Sequence, residues 1–302
     1  MSSSIRASAS PEAPPLTETS AAPEATRHRA VVRMMRSRLA LIGLAIVGLT
    51  VLVGLVAPFL VRADPVAMDF GALLKGPSAT HPLGTDQFGR DVLARLVWGA
   101  RLSVSIGALA VALSVMVGVP LGALSGYAGG AIDNVLMRCM DALLAFPALL
   151  LALGLVAIMG PGSTSTTLAI GIVYTPGVAR LTRGVVLAER PQEYVQAAHA
   201  LGQRDRWVLA RHIMPNCVSA LLVQASVNFA NAMVIEAGLS FLGIGTPPPT
   251  PSWGLMLNEA RAFMSSAKHV AIAPGVAISL AVLGWNLLGD GLRDALDPRL
   301  TE

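Results

Sequence analysis

Long apolar runs alternate with shorter polar segments along most of the chain. Six of these runs have about the length, roughly 20 residues, that a helix needs to cross a bilayer. Hydropathy places them at about 39–61, 102–123, 135–160, 166–188, 217–243 and 270–289. The pattern predicts an all-α integral membrane protein with six transmembrane helices. Pro120 and Pro147 are expected to kink two of them.

Two spacings within the runs predict particular contacts. Glycines recur every four residues at positions 118, 122, 126 and 130, and helical geometry puts the first three in one groove that another backbone could approach closely. Arg138 and Asp141 interrupt the third run three residues apart, so they could meet on one helix face near the membrane surface.

The composition agrees with a membrane protein. Of the 302 residues, 54% are hydrophobic and only 13% are charged, whereas a soluble domain has roughly 25% charged residues. The mean hydropathy is +0.63 and the formal net charge is +4. We therefore expect membrane lipid, and no nucleic acid, among the partners.

The distribution of basic residues predicts the orientation. If the N-terminus is cytoplasmic, the inner segments carry 15 Lys and Arg residues and the outer segments carry 7, which favours both termini inside. The chain then divides into a disordered cytoplasmic tail with a basic end, a first transmembrane helix, an extracytoplasmic loop with an amphipathic segment, a five-helix core, and a cytoplasmic C-terminal tail. Their bounds are 1–38, 39–61, 62–101, 102–290 (with one large inner loop at 189–216) and 291–302.

That inner loop contains a polar segment with helical spacing, EYVQAAHALGQRDRWVLARHIMPN, at residues 193–216. Pro191 suits the first turn of a helix and Gly202 suits the position after its end. The face predicted from the spacing carries Tyr194, Ala197, Ala198 and Leu201. Asp205 is predicted to cap a second short helix over 206–213. The small residues of the first helix would let a partner backbone come close, so it either enters a groove of another protein or lies on the membrane surface.

Polar residues elsewhere are further candidates for a functional site. Glu236 lies late in the fifth run, where a carboxylate is costly unless it faces protein or water, so it belongs either to a transport pathway or to a structural pair. Asn228 and Asn231 are expected to extend its polar face. In the outer loop, Asp86, Arg90 and Asp91 are expected to pair and fix a turn that leads into the amphipathic segment 91–100.

Motifs for chemistry are missing from the sequence. The chain has only two lysines, Lys75 and Lys268, and neither lies in a phosphate-binding P-loop motif. It has no zinc-protease HExxH motif, no GxSxG nucleophile motif and no clustered metal ligands. We therefore predict a non-catalytic chain that binds no cofactor or metal itself.

A family resemblance narrows the interpretation of the inner loop. The stretch VQAAHALG at 195–202, followed by IMP at 213–215, resembles the EAA loop of ABC-transporter membrane subunits. In that family the loop is a coupling helix that docks in a cleft of the ATP-hydrolysing subunit. Gln196 stands where the family has Glu, and its neutral amide keeps the hydrogen bonding but loses the charge that an ion pair to the ATPase would need. The resemblance assigns ATPase coupling to Glu193, Tyr194, Gln196, Ala197, Ala198, Ala200, Leu201, Gly202 and Arg204.

Four other segments are similar to dipeptide and oligopeptide permease subunits of the DppC/OppC type. They lie at 81–103, 126–147, 236–257 and 292–300, and the first holds an elbow motif formed by Gly84, Thr85, Asp86, Gly89, Arg90 and Asp91. The resemblance covers roughly residues 35–300 and implies the type I ABC importer permease fold. It also implies import of di- or oligopeptides across the bacterial plasma (inner) membrane, although the family includes nickel permeases.

The resemblance also implies partners. These are a homologous permease subunit that completes a heterodimer, two ABC ATPase subunits that hold ATP and Mg, and an extracytoplasmic substrate-binding protein. The alternative is a stand-alone secondary transporter that uses Glu236 as its ion site.

Overall fold

The computed structural model describes residues 37–61 and 63–296, and over this part of the chain it is helical apart from turns, loops and one isolated bridge between Thr85 and Asp91. In chain order the helices are α1 (Arg38–Leu60), α2 (Val92–Ala128), α3 (Gly130–Leu144), α4 (Ala148–Met159), α5 (Ser163–Glu189), α6 (Glu193–Ala200), α7 (Asp205–Val208), α8 (Met214–Phe241), α9 (Trp253–Ala260) and α10 (Lys268–Leu296). Most of the two predicted terminal tails, 1–38 and 291–302, lies outside the described residues.

Among the described residues, four helical segments are long and apolar enough to cross a membrane: Arg38–Phe59, Val92–Ala128, Asp205–Phe241 and Lys268–Leu296. Helices α3 and α4 would together form a fifth span, bent by 92°. Helix α5 has 27 residues but is less apolar, since Arg180 and Arg183 lie within it. The predicted total of six spans stays a prediction.

The two prolines predicted to kink spans behave differently. Pro147 precedes the first residue of α4 in an extended conformation, so the single span predicted at 135–160 is two helices at a steep angle. Pro120 instead lies within α2, which continues as one helix of 37 residues. This helix begins at Val92, so the predicted amphipathic segment 91–100 is its first turns and not a separate element.

The predicted glycine groove is confirmed, and it is occupied by α5. A Cβ added at Gly118, Gly122 or Gly126 would lie 2.8, 2.1 or 2.9 Å from the carbonyl oxygens of Thr175, Ala179 and Arg183 respectively. Because no real Cβ fits at such distances, the backbones of α2 and α5 are in direct contact. Gly130 is not part of the groove; it begins α3 at a φ of +58°.

Helix α1 lies against α10 through a second set of small residues. A Cβ added at Gly43 would lie 2.6 Å from the backbone nitrogen of Leu288, and one at Gly291 would lie 2.3 Å from the Cβ of Ala40. Large apolar side chains on the rest of α1 are exposed, among them Leu55 and Phe59. An exposed apolar face on a long helix is what contact with lipid requires.

Candidate functional site

Helix α6 is a short helix that joins α5 to α8 at one end of the bundle, called here the loop end. Its end is a Schellman motif: the N–H of Gly202 donates to the carbonyl of His199 (2.9 Å), and the N–H of Gln203 donates to that of Ala198 (3.1 Å). Gly202 has a φ of +77°, which confirms its predicted place after the helix. Pro191 lies just before the helix, which begins at Glu193, and not in its first turn.

The buried stripe of α6 differs from the predicted face. Val195 and Ala198 are buried and pack in an apolar cluster with Ala123, Val186, Val208, Ile213 and Cys217. Tyr194 and Ala197 point outward, and Leu201 after the helix is 82% exposed. The predicted face is divided because α6 lies across the ends of other helices, which cover only a narrow stripe of it.

The second predicted helix of the loop is a continuation of α8. Helix α7 (Asp205–Val208) passes through a wide π turn at Leu209–Ile213 directly into α8. Pro215 accounts for the wide turn, because it has no N–H to donate and its ring crowds the carbonyl four residues earlier. Asp205 is not a cap as predicted; the N-cap is Arg204, and the Asp205 carboxylate accepts a hydrogen bond from Tyr127.

Two polar clusters hold α6 in place. At its start, the Glu189 cluster consists of Glu189, Tyr194 and Asn216: the Tyr194 hydroxyl donates to the Glu189 carboxylate, and the Asn216 amide donates to both (3.1 Å to Glu189, 2.9 Å to Tyr194). Burial, followed by the hydrogen bond to Glu189, raises the pKa of Tyr194 to about 12, so this hydroxyl stays protonated at neutral pH. The cluster joins α5, α6 and α8.

At the other end of α6, the Tyr127 cluster consists of Tyr127, Arg190, His199 and Asp205. The Tyr127 hydroxyl, in the last turn of α2, lies 3.1 Å from Asp205 Oδ1 and 3.3 Å from His199 Nε2. The Arg190 guanidinium lies over the Tyr127 ring, 5.7 Å from its centre. No local pattern in the sequence indicates this cluster, since its members are up to 78 residues apart.

The remaining residues assigned to coupling form the free surface of α6 and the turn after it. These exposed residues are Glu193, Gln196, Ala197, Ala200, Leu201, Gly202 and Arg204. Gln196 donates a long hydrogen bond (3.5 Å) to the backbone carbonyl of Arg190. This surface therefore combines a central apolar strip with polar and charged residues, on a helix whose opposite side is fixed.

The elbow motif lies at the opposite end of the bundle, called here the elbow end. Gly84 and Gly89 have φ values of +78° and +72°, and a Cβ at Gly89 would lie 1.8 Å from the backbone oxygen of Asp69. Thr85 accepts from the N–H of Lys75 (2.9 Å) and donates to the carbonyl of Ala72. These contacts fold the loop before α2 tightly onto itself.

A buried network of charges fixes the elbow to α9. Arg90 pairs with Asp86 (2.6 Å), as predicted, and Arg90 and Arg95 each donate to Glu259 of α9 (2.8 Å). Arg95 also lies 3.2 Å from Asp86. The two cations and two carboxylates balance, and both arginines and Asp86 are buried, so the network has the geometry of a structural brace. Arg95 and Glu259 were missed from the sequence because they are 164 residues apart.

Asp91 has a different role from the predicted pairing with Asp86 and Arg90. Its carboxylate caps α2 by accepting from the N–H of Ala94 (2.8 Å), and it pairs with His81 (2.8 Å). An acidic cap is favourable at this position because the first N–H groups of a helix have no partner within it.

The three polar residues predicted on α8 do not form one face. Glu236 is 1% exposed, and its carboxylate accepts from Ser103 (3.0 Å) and Ser240 (2.9 Å). Asn228 is also buried and accepts from Gln224, whereas Asn231 is exposed. The geometry of Glu236 fits a structural pair, and a place for it in a transport pathway stays a prediction.

Charges near the loop end of α3 pair with α5. Asp133 accepts two hydrogen bonds from Arg183 (both 2.6 Å), and Asp141 pairs with Arg180 (2.5 Å). The predicted contact of Asp141 with Arg138 is therefore wrong. These residues and Arg138 line an open cavity of about 340 Å³.

The described residues form long apolar helices, a short helix braced across the ends of three of them and an elbow at the far end, an arrangement typical of an integral membrane protein. Residues 118–302 match the family described as the binding-protein-dependent transport system inner membrane component, and residues 27–77 match the N-terminal TM domain of oligopeptide transport permease C. The chain belongs to this permease family, which confirms the resemblance seen in its sequence.

Curated relatives agree over most of the chain. The dipeptide transport system permease protein DppC of Alkalihalophilus pseudofirmus is 42% identical over 268 residues, 89% of this chain and 88% of that one. The glutathione transport system permease protein GsiD of Pectobacterium atrosepticum is 47% identical over 77% of each chain. The di/tripeptide transport system permease protein DppC of Pseudomonas aeruginosa is 45% identical over 86% of this chain and 88% of its own.

A solved structure agrees in fold. It is an inward-facing conformation of the MetNI methionine ABC transporter, which matches with a TM-score of 0.56 at 16% identity. The match covers 67% of this chain and 96% of the other. At this identity it supports the ABC importer permease fold alone.

Proposed function

We propose that this chain is the membrane-spanning subunit of an ATP-driven importer for di- or oligopeptides. The support is chemical as well as evolutionary: the three relatives described above are named for dipeptides, di/tripeptides and glutathione, all of which are peptides. The proposal includes six spans, with both termini in the cytoplasm and the elbow end outside, as the basic residues favour.

The observation that carries the proposal is the way α6 is presented. Its inner stripe is buried and both of its ends are held by polar clusters, whereas its outer surface has no cover within the described residues. Three large apolar side chains of this segment, Tyr194, Leu201 and Trp207, are exposed, with Leu201 at 82%, and apolar residues grouped on a surface are typical of an interaction site. We assign this surface to a cleft on an ATPase subunit, which would cover it.

The complete transporter would then hold this chain, a homologous permease subunit, two ATPase subunits and an extracytoplasmic binding protein. Apolar residues exposed on α3 and α4, including Val135 and Ile158, supply a surface for the second permease or for lipid. ATP and Mg belong to the ATPase subunits. Closure of the ATPase pair would displace α6, and the spans would shift from an inward-facing to an outward-facing arrangement.

Cysteine cross-linking tests the docking surface. In a Cys139→Ser background, which removes the exposed native thiol, Leu201→Cys should cross-link to the co-expressed ATPase subunit. Leu73→Cys, which is also exposed but lies in the loop before α2, is the matched control and should give no such product. A cross-link to the ATPase from Leu73→Cys, or none from Leu201→Cys, would contradict the proposed docking.

Transport assays separate this function from the alternative. In proteoliposomes, peptide uptake should require ATP and all subunits. Uptake by the lone chain driven by an ion gradient would instead support a secondary transporter. That alternative depended on Glu236, whose carboxylate is enclosed between two serine hydroxyls.

A further inference from the structure

The connections of α6 to the rest of the bundle are of two kinds. It is joined covalently to α5 through Arg190–Gln192 and to α7 and α8 through Leu201–Arg204. It is not adjacent to α2 in the chain, because α2 ends more than 60 residues before α6 begins. Among the described residues, Tyr127 of α2 makes the hydrogen bonds to the segment 193–208, which contains α6 and α7. Its hydroxyl contacts His199 and Asp205.

The geometry at Tyr127 suits a specific connection. A tyrosine hydroxyl can donate one hydrogen bond and accept another. Here it is placed to donate to the Asp205 carboxylate at 3.1 Å and to accept from His199 Nε2 at 3.3 Å, while Arg190 lies over the ring. The single hydroxyl thus joins the last turn of α6, through His199, to the first turn of α7, through Asp205.

Two attachment points fix the direction of a helix, whereas one point lets it pivot. The Glu189 cluster holds Tyr194 near the start of α6, and the Tyr127 cluster holds His199 near its end. The helix has 8 residues, so these points are on the order of 7 Å apart along its axis. Loss of the second point would remove the direct hydrogen bonds between α2 and the end of α6, and would leave the packing of Val195 and Ala198 and the turn at Leu201–Arg204 to hold that end.

The helix that Tyr127 belongs to reaches the opposite end of the bundle. Helix α2 has 37 residues and is therefore about 55 Å long. Its other end carries Asp91 and Arg95, which belong to the elbow and its charge network. A displacement delivered at Tyr127 therefore acts on one end of a continuous helix whose other end is anchored in the elbow.

We propose that Tyr127 is a positioning residue, which fixes the direction of α6 and transmits its displacement to α2 and the elbow. The proposal rests on the docking of α6 proposed above. It assigns to Tyr127 no contact with ATP or with the ATPase subunit. Its predicted effect is on the number of peptides imported per ATP hydrolysed.

Tyr127→Phe tests the proposal, because it removes only the hydroxyl. The assay uses the complete transporter in proteoliposomes, where uptake per ATP should fall by about threefold to tenfold. This is the change expected when the conformation with α6 held in place loses one or two hydrogen bonds relative to conformations in which α6 is free to turn. ATPase binding, measured by the Leu201→Cys cross-link, should persist. Tyr174→Phe is the matched control. Tyr174 lies in α5 and packs against an apolar cluster, so uptake per ATP in this variant should equal that of the wild type.

A double-substitution cycle separates this role from a general loss of stability. Asp205→Ala should lower uptake per ATP as Tyr127→Phe does, and the loss in the double variant should be smaller than the sum of the two single losses, because both substitutions remove the Tyr127–Asp205 hydrogen bond. Amide exchange at residues 199–205 should be faster in Tyr127→Phe and unchanged in Tyr174→Phe. Additive losses in the double variant, or an unchanged uptake per ATP in Tyr127→Phe, would overturn the proposal. If the cross-link still forms in that case, the docking function stands without it.

Discussion

Substitution of Gly202 tests whether the geometry at the end of α6 matters for coupling. Gly202 has a φ of +77°, which a residue with a Cβ adopts at a cost of about 1–2 kcal/mol. A Cβ added here would meet no atom within 4 Å, so Gly202→Ala introduces no clash. The whole effect is therefore conformational. It should reduce the population of the Schellman geometry by roughly fivefold to thirtyfold relative to competing conformations.

The size of the effect should follow the backbone preference of the new residue. Asn tolerates the left-handed conformation, so Gly202→Asn should have the smallest effect, and Gly202→Ala a larger one. Gly202→Pro should have the largest, because proline fixes φ near −65°. All three variants should insert in the membrane, since the change lies outside the spanning helices.

The assay is peptide uptake and ATP hydrolysis measured together in proteoliposomes that contain the complete transporter. Uptake per ATP should be highest in Gly202→Asn, lower in Gly202→Ala and lowest in Gly202→Pro. Gly48→Ala is the matched control: it also meets no atom within 4 Å, but it lies inside helix α1, where alanine is favoured over glycine by about 1 kcal/mol. Equal uptake per ATP in the Gly202→Ala, Gly202→Pro and wild-type proteins would refute the reasoning.

Two further predictions concern the stability of the bundle. Gly122→Leu should prevent close packing of α2 on α5, because even its Cβ would lie 2.1 Å from the carbonyl oxygen of Ala179; the variant should lose most of its folded yield in detergent, and a normal yield would contradict the contact. Glu259→Ala should lower the free energy of unfolding by about 3–5 kcal/mol, because it leaves Arg90 and Arg95 buried with one carboxylate between them. Its thermal unfolding in detergent should show the loss, and a midpoint equal to that of the wild type would show that the network does not brace the elbow.

The sequence was most informative where a local rule decides the structure. The first helix follows its apolar run to within one residue, whereas the last continues seven residues past its predicted end at 289, and Gly202 follows the end of α6 as its position predicted. The glycine spacing predicted a close helix contact, although not that α5 would fill it. In each of these cases the deciding residues belong to one continuous segment of the chain.

The sequence was least informative where contacts join distant segments. Asp141 had Arg138 one turn away, yet it pairs with Arg180 of α5, 39 residues further along the chain. Similarly, nothing near Arg95 indicated Glu259 as its partner. Periodicity also gave α6 an apolar face without indicating which part of it would be covered, because that depends on where the ends of α2, α5 and α8 lie.

The stiffness of α2 follows from how its two ends and its middle are held. In the middle, glycines place its backbone directly against that of α5, so no flexible side chain separates the two helices. At the elbow end, paired buried charges hold Arg95, and at the loop end hydrogen bonds hold Tyr127. We expect a helix held at these three places to transmit a displacement at the loop end to α5 and to the elbow. In the proposed function, this property would let the chain convert the closure of ATPase subunits at the loop end into movement at the elbow end.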